Sequence, residues 1–152
     1  KLADALNCTK YEAGKKKNKY FRTLPAIRNL TNGLIKVAES RGYVVNPFGR
    51  RLLSSRNDAY KIPNHYIQGA CGDIVKLAMI RLHDFLKPYK SRMLLQVHDE
   101  LLLEIHESEA NLIPELVNVM QGAYNFIKLP MTAGCEISKS NWYDKEAYNI
   151  PT

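Results

Sequence analysis

The sequence predicts an α+β fold in which antiparallel strands pack against several helices. Two apolar runs, Met93 to Val97 and Leu101 to Ile105, flank an acidic step at residues 98–100 and predict a β-hairpin. The order of elements is helices, hairpin, helix, hairpin, helix and strand, which is typical of an α+β domain with an antiparallel sheet. A chain of 152 residues is long enough for one such domain with its own core.

The first third of the chain predicts consecutive helices. The segment from Lys1 to Leu6 has the pattern of the end of a helix. The sequence Thr9-Lys10-Tyr11-Glu12 fits a capping box, so a helix is expected over about Lys10–Thr23. Proline suits the first position of a helix and glycine suits its end, which predicts the next helix over Pro25–Arg41, with Gly42 as the stop.

The middle of the chain predicts a hairpin and a long helix. Tyr43 to Asn46 and Arg50 to Leu53 flank a Pro-Phe-Gly turn, which predicts two short strands. A helical stretch follows from about Ala59 to Leu86. Pro63 is expected to break or kink it near its start, because proline lacks an amide hydrogen and clashes with the preceding turn.

The last third predicts the second hairpin, one helix and one strand. The helix is expected over about Glu109–Phe126, with Ser108 as its cap and Pro114 inside its first turns. Thr132 to Ile137 predicts a last strand, followed by a short C-terminal turn or helix.

The charge of the chain is compatible with a polyanionic partner. Its formal net charge is +7 and its pI is about 9.3, and neutralisation of phosphates dominates affinity for nucleic acids. One cluster is locally dense: Lys15, Lys16, Lys17, Lys19 and Arg22. On charge alone, a solvated helix face and a contact with a DNA backbone are equally good interpretations of this cluster.

Three widely spaced cysteines, Cys8, Cys71 and Cys135, show no spacing typical of a metal site and indicate a reducing compartment. That compartment is compatible with the cytoplasm or nucleoid of a cell, with a viral protein acting in the host cytoplasm, or with an organelle. No apolar run approaches the length of a membrane span, so no membrane partner is expected.

The tip of the second predicted hairpin carries two adjacent carboxylates, Asp99 and Glu100. Adjacent carboxylates at a strand end repel each other, and a hard divalent cation such as magnesium takes oxygen ligands. A plain turn would more often use Asn-Gly or Asp-Gly. An acidic, solvated turn without a metal is the alternative interpretation.

The sequence around this tip resembles the metal-binding hairpin of family A DNA polymerases, the DNA polymerase I type, which carries a Val-His-Asp-Glu step between two hydrophobic strands. Four further segments match that family in order and spacing over nearly the whole chain: Gly42-Tyr43-Val44 with Gly49-Arg50-Arg51-Leu52, Asn64 with Gln68-Gly69, the helix segment Asp73–Met79, and Asn141-Trp142.

The resemblance implies a palm-type antiparallel sheet with a metal-site β-hairpin. It implies that Asp99 and Glu100 are catalytic and bind magnesium in a two-metal site completed by residues that this sequence lacks. Asp99 is the first choice of ligand, Glu100 has a supporting role, and Glu104 is expected at the solvent-facing rim. The family's other essential aspartate and its nucleotide-gripping fingers helix have no equivalent here.

The same resemblance divides the chain into two parts of a single compact fragment. Residues 1–41 correspond to helices that follow the fingers helix, and residues 42–152 correspond to the C-terminal half of the palm. The chain alone is therefore expected to be inactive.

Five residues are expected to contact DNA. The resemblance implies that His98 contacts the primer-terminal nucleotide, whereas a histidine satisfied by backbone groups at a strand end is the alternative. Asn64 and Gln68 share a helix face if the Pro63 kink keeps them in register, and amides can donate to minor-groove acceptors that every base pair presents. The family also has an arginine four residues before the asparagine, where this chain has Tyr60.

The remaining two candidates, Arg50 and Arg51, follow the turn of the first hairpin. One of them is expected to meet a phosphate or a carboxylate, and the other to be structural.

The function implied is DNA-directed DNA polymerase activity, a template-dependent nucleotidyl transfer to the 3′ end of a DNA primer in the complete enzyme. The partners are primer-template DNA, deoxynucleoside triphosphates and the remaining polymerase fragment. The alternatives are a non-catalytic DNA-binding module or split-polymerase subunit that retains the palm scaffold. A metal-dependent nuclease would need further clustered acidic residues, which the sequence lacks.

Overall fold

The computed structural model describes residues 1–124 and 130–149. Its α+β class is the predicted one, although the antiparallel strands form three separate two-stranded sheets, β1-β2, β3-β4 and β5-β6. The elements are α1 (Leu2–Ala5), α2 (Lys10–Thr23), α3 (Pro25–Arg41), β1 (Tyr43–Val45), β2 (Arg51–Leu53), α4 (Ile62–Leu86), β3 (Arg92–Val97), β4 (Glu100–Glu104), α5 (Ile113–Gln121), β5 (Glu136–Ile137) and β6 (Glu146–Ala147).

The chain divides into two compact units, Lys1–Gln68 and Gly69–Thr152. The sequence-based division between residues 1–41 and 42–152 refers to regions of the polymerase and not to compact units. It stays a prediction. Within the described ranges, no helix is both long and apolar enough to cross a bilayer.

In the first unit, local sequence signals set the helix ends. The Thr9 hydroxyl accepts from the Glu12 amide at 3.2 Å, and the Glu12 carboxylate accepts from the Thr9 amide at 3.0 Å. This confirmed capping box starts α2 at Lys10. The next helix, α3, ends at Gly42, whose φ of 76° is a left-handed conformation that glycine adopts without strain.

The β1–β2 hairpin turns around a buried asparagine. The Asn46 side-chain oxygen accepts from the amides of Phe48 and Arg50, both at 3.0 Å, while Gly49 has a φ of 81°. Because Asn46 and Arg50 belong to this turn, the strands are one residue shorter at these ends than expected. The core of the unit joins α3 to this hairpin through Ala38, Val44, Ala59 and Ile62.

The long helix α4 begins at Ile62 rather than at Ala59. Residues Arg56–Lys61 form a 3-10 helix, and Pro63 falls in the first turn of α4. An amide hydrogen has no intrahelical partner there, so the proline needs no kink inside the helix.

In the second unit, the β3–β4 hairpin packs one face on helices. Leu101, Leu103 and Ile105 alternate along the chain and pack against Leu82 and Leu86 of α4 and Leu116 of α5. Because strand side chains alternate between faces, Glu100 and Glu104 lie on the opposite face of β4.

The start predicted for the last helix is wrong. Residues Glu107–Leu112 form a 3-10 helix, and α5 begins only at Ile113 with Pro114 in its first turn. A proline deeper inside a helix would clash with the preceding turn. Ser108 caps neither helix, because Leu112 is the N-cap of α5 and His106 is the N-cap of the 3-10 helix, where its ring nitrogen accepts from the Ser108 amide at 3.3 Å. The predicted end at Phe126 lies outside the described residues.

The last predicted strand is shorter than expected, and its partner was not predicted. Only Glu136–Ile137 of the segment Thr132–Ile137 forms a strand, and it pairs with β6. The chain after Ile137 therefore turns and returns as a strand.

Four residues form a hydrogen-bonded cluster, which we call the hairpin clasp. It joins Lys90 and Ser91, just before β3, to His106 and Glu109, which follow β4. The Glu109 carboxylate accepts from the amides of Lys90 and Ser91 at 3.0 and 2.9 Å and from the Ser91 hydroxyl at 2.6 Å. The His106 amide donates to the same hydroxyl at 3.0 Å. Ser91 is only 4% exposed. The clasp therefore fixes both strands at the base of the hairpin.

The hairpin clasp predicts a specific acid sensitivity. The Lys90 amide and then the Ser91 hydroxyl hold the pKa of Glu109 below its ordinary value. A carboxyl group whose pKa is lower in the folded state than in the unfolded state stabilises the folded protein. This stabilisation is complete at pH values above the unfolded-state pKa, about 4.3 for glutamate, and it is lost as the pH falls through the folded-state pKa. We expect Glu109→Gln to lower the free energy of unfolding at pH 7 and to weaken its decline on acidification.

Denaturant unfolding at a series of pH values from about 6 to 3 measures this effect. Glu107→Gln is the matched control, because Glu107 is exposed and has no hydrogen bond in the described residues. Identical pH profiles for the two variants would contradict the role of the clasp.

Candidate functional site

The predicted acidic hairpin is confirmed, and its turn is as short as a hairpin permits. Val97 of β3 pairs with Glu100 of β4, which leaves His98 and Asp99 as a two-residue turn. A register shift between Met93 and Leu95 accommodates one extra residue in β3. With so short a turn, the strands themselves fix where the Asp99 and Glu100 backbones lie.

His98 has a backbone conformation that histidine rarely adopts. Its φ is 53°, in the left-handed region. Two-residue hairpins favour a positive φ at the first turn position because it matches the strand twist, and glycine or asparagine usually supplies it. The Gln96 side-chain amide donates to the His98 carbonyl oxygen and so supports this turn. A glycine at this position would avoid the cost of a side chain in the left-handed region.

The two tip carboxylates differ in their surroundings, although both are exposed. The Lys145 ammonium lies 3.9 Å from a Glu100 carboxylate oxygen and 2.7 Å from a Glu136 oxygen. Over residues 1–124 and 130–149, the Asp99 side chain has neither an ion pair nor a hydrogen bond. Asp99 is therefore the carboxylate with free ligand capacity, whereas Glu100 is partly neutralised.

The C-terminal turn that carries Lys145 is organised by Asn141. The Asn141 side-chain oxygen accepts from the amides of Tyr143 and Asp144 at 2.9 and 3.1 Å. This turn leads directly into β6, immediately after Lys145. The Asn141-Trp142 segment therefore belongs to the structure that brings a cation to Glu100.

Sequence reasoning did not find Lys145, which lies 45 positions from Glu100 in a segment without a distinctive charge pattern.

Glu104 forms an exposed ion pair with Arg92 across the hairpin at 2.6 Å. This contact agrees with the solvent-facing position expected for it.

The carboxylates present fit part of a magnesium site. Asp99 and Glu100 offer the oxygen donors that hard cations take. In the described part of the chain, no group of three or more His, Cys, Asp or Glu residues is placed to hold a metal. Other aspartates have partners elsewhere, as Asp58 does with Lys61 and Asp84 with Lys87. A two-metal site would need further ligands besides this pair.

The two minor-groove candidates belong to the first unit. Asn64 and Gln68 are one turn apart near the start of α4, on one face, and both are exposed. Tyr60 lies outside α4, in the preceding 3-10 helix, and is 67% exposed with the Lys61 ammonium 5.6 Å from its ring centroid. The structure thus groups the two amides with each other and, separately, His98 with the two carboxylates.

Arg50 and Arg51 take different positions at the first hairpin. The Arg51 guanidinium carbon lies 5.1 Å from the centroid of the Tyr43 ring, a cation–π geometry across the β1–β2 pair. Arg50 lies in the turn and donates its amide to Asn46. Both residues are exposed.

Comparison with known proteins decides the family. The profile of DNA polymerase family A matches residues 1–144. The chain belongs to DNA polymerase family A. Among similar family members, DNA polymerase I of Deinococcus radiodurans is 39% identical over 140 residues, and DNA polymerase I of Caldicellulosiruptor bescii is 33% identical over 156.

These matches cover most of this chain but a small part of the relatives. They span 82% and 94% of this chain, but only 14% and 18% of the two DNA polymerases. A solved structure described as the POL domain of Pol1 from M. smegmatis, in complex with DNA primer-template and dNTP, superimposes with a TM-score of 0.76 at 34% identity. The match covers 86% of this chain and 25% of that one.

The strain at His98 gives a stability prediction. An L-residue with a side chain loses about 1 kcal/mol in the left-handed region relative to glycine. We therefore expect His98→Gly to be more stable than His98→Ala by about that amount, measured by denaturant unfolding.

The neighbouring turn position supplies the control. Asp99 does not have a positive φ, so Asp99→Gly should be less stable than Asp99→Ala. A His98→Gly variant that is no more stable than His98→Ala would mean that His98 carries no backbone strain.

Proposed function

We propose that this chain supplies part of the active site of a family A DNA polymerase, which transfers nucleotides onto the 3′ end of a DNA primer. The observation that carries the proposal is the hairpin tip, where Asp99 is exposed beside Glu100 and has no ion pair or hydrogen bond within residues 1–124 and 130–149. The partners proposed are primer-template DNA and deoxynucleoside triphosphates. The M. smegmatis structure, which contains both kinds of ligand, supports this assignment.

The chemistry proposed for the tip is electrostatic. Nucleotidyl transfer depends almost entirely on positioning and on stabilising charge around the phosphoryl group. Asp99 would hold magnesium as the principal ligand, with Glu100 in support. The chemistry that bound magnesium supplies at such a site is neutralisation of charge on the transferring phosphoryl group.

The Lys145 contact supports this division of roles. A carboxylate that already faces an ammonium at 3.9 Å is a weaker ligand for a cation than one without a counter-charge. Glu100 is also on the strand, whereas Asp99 is in the turn itself, beyond the last strand pair. The structure therefore favours Asp99 as the residue on which activity depends most.

The proposed DNA contacts lie on exposed polar side chains of both units. His98 is proposed to contact the primer-terminal nucleotide, and its strained backbone supports a role for its ring. Gln68 and Asn64 are proposed to meet the minor groove, which their shared exposed face permits. Arg50 and Arg51 are proposed to meet DNA phosphates, which guanidinium groups bind in a bidentate manner.

One observation favours a second candidate function. Across the described residues, the acidic groups do not assemble three ligands in one place. A DNA-binding module or split-polymerase subunit that retains the palm scaffold would need no complete metal site of its own. Primer extension separates these functions.

The decisive variant is Asp99→Asn. In a polymerase reconstituted from this chain and a fragment with the remaining family motifs, we expect this change to lower the rate of magnesium-dependent primer extension by about 100-fold or more, because the amide keeps the shape and loses the charge. DNA affinity should change little. The chain alone should extend no primer.

Asp84→Asn is the matched control, because Asp84 is also an exposed aspartate and pairs with Lys87. It should extend primers like the parent. An Asp99→Asn enzyme within a few-fold of the parent would exclude the catalytic role, and extension by the isolated chain would show that it needs no further ligands.

A further inference from the structure

We propose that one face of α2 binds the phosphate backbone of duplex DNA. This face, the α2 stripe, consists of Lys15, Lys19 and Arg22. The proposal rests on the proposed function only in taking DNA as the polyanion, and it concerns residues that the active site does not use. Helix α2 spans 14 residues and holds six of the 22 basic residues of the chain, with a single acidic residue, Glu12.

The helix geometry places the stripe on the solvent side. Lys15, Lys19 and Arg22 are spaced by four and three positions, so they lie on one face of a helix with 3.6 residues per turn. Ala13 is the buried residue of α2, and it lies half a turn around the helix from Arg22. Burial of α2 therefore occurs on the opposite side, and the stripe is exposed along its length.

The stripe cations have no acidic partners in the described ranges. Nowhere there does a carboxylate lie within 4 Å of a charged nitrogen of Lys15, Lys19 or Arg22. By contrast, Lys61, Lys87, Arg92 and Lys145 all have such a partner. The Glu12 carboxylate is used by the Thr9 capping box instead.

Helix stability does not account for this arrangement. Like charges four positions apart, such as Lys15 and Lys19, repel each other and destabilise a helix slightly. The one local contact of the stripe is the Lys15 ammonium, 4.6 Å from the centroid of the Tyr11 ring. A polyanion laid along the face would replace this repulsion with attraction, and it would release counterions from its phosphates.

The side chains on this face favour duplex backbone over single-stranded bases. Single-strand binders alternate positive charge with several aromatic stacking surfaces. The stripe has one exposed ring beside it, Tyr11 at 71% exposure, and Lys15 already lies over that ring. Lys15 and Arg22 are about 10 Å apart along the axis, a length over which a duplex presents about six phosphate charges.

The test compares two triple variants of α2. Each loses three positive charges, but from different faces of the helix. The first changes Lys15, Lys19 and Arg22 to Gln. The control changes Lys10, Lys16 and Lys17 to Gln, which removes the same charge from outside the stripe. Glutamine and lysine have similar helix propensities, and circular dichroism melting confirms that both variants keep α2 folded.

Fluorescence anisotropy with a duplex DNA probe measures affinity of the full chain as a function of salt concentration. For the stripe variant, we expect the slope of log affinity against log salt to become shallower by about 2.7, from three lost phosphate contacts. The control variant should keep a slope near that of the parent.

Equal losses in the two variants would overturn the proposal, because net charge alone would then explain binding. No duplex binding by the parent, or tighter binding to single-stranded DNA or anionic vesicles, would overturn it as well. The polymerase function is tested separately, because primer extension by Asp99→Asn bears on the hairpin tip, whereas the salt dependence of duplex binding by the stripe variant bears on α2.

Discussion

The register of the β3–β4 hairpin is the constraint on which the candidate active site depends. Its base is fixed by Glu109, whose carboxylate holds the Ser91 amide and hydroxyl. One face is fixed by burial of Leu101 and Leu103 against the helices. A slip of one residue would turn those leucines to solvent, because strand side chains alternate between faces. Because the turn has only two residues, the register of the strands also determines the positions of Asp99 and Glu100.

The two carboxylates at the hairpin tip are paired differently from other carboxylates of the protein. Among the described residues, three of the six carboxylates in ion pairs, Asp4, Asp58 and Asp84, are exposed and pair with a group three positions away, and such pairs contribute little to stability. Glu100 has a partner from far along the chain, Lys145, and Asp99 has no partner in the described ranges. Neither a carboxylate without a counter-charge nor a histidine with a positive φ stabilises a hairpin turn. The cation site proposed at this tip would use such an unneutralised carboxylate.

Local signals predicted the fold well wherever one short segment decides the outcome. The Thr9 capping box and Gly42 set helix ends, and the two apolar runs on either side of residues 98–100 predicted the hairpin. Pro114 was a local signal whose consequence was missed, because a 3-10 helix lets the proline occupy the first turn of a later helix. The candidate site was found through the acidic tip, and the family followed from its order of motifs. The hairpin clasp and the contact of Lys145 with Glu100 join residues 15 to 45 positions apart, which no local pattern encodes.

Metal binding at the hairpin tip is the central claim, and NMR with Mn²⁺ as a paramagnetic substitute for Mg²⁺ tests it most directly. Mn²⁺ broadens the amide signals of residues close to the carboxylates that bind it, and oxygen donors suit both ions. In the isolated chain, the signals of residues 98–101 should broaden at lower Mn²⁺ concentration than those around Asp58 and Asp84, which already have lysine partners. Asp99→Asn should remove that difference. Equal broadening at all three places, or preferential broadening at the tip that survives Asp99→Asn, would contradict the assignment of Asp99 as the metal ligand.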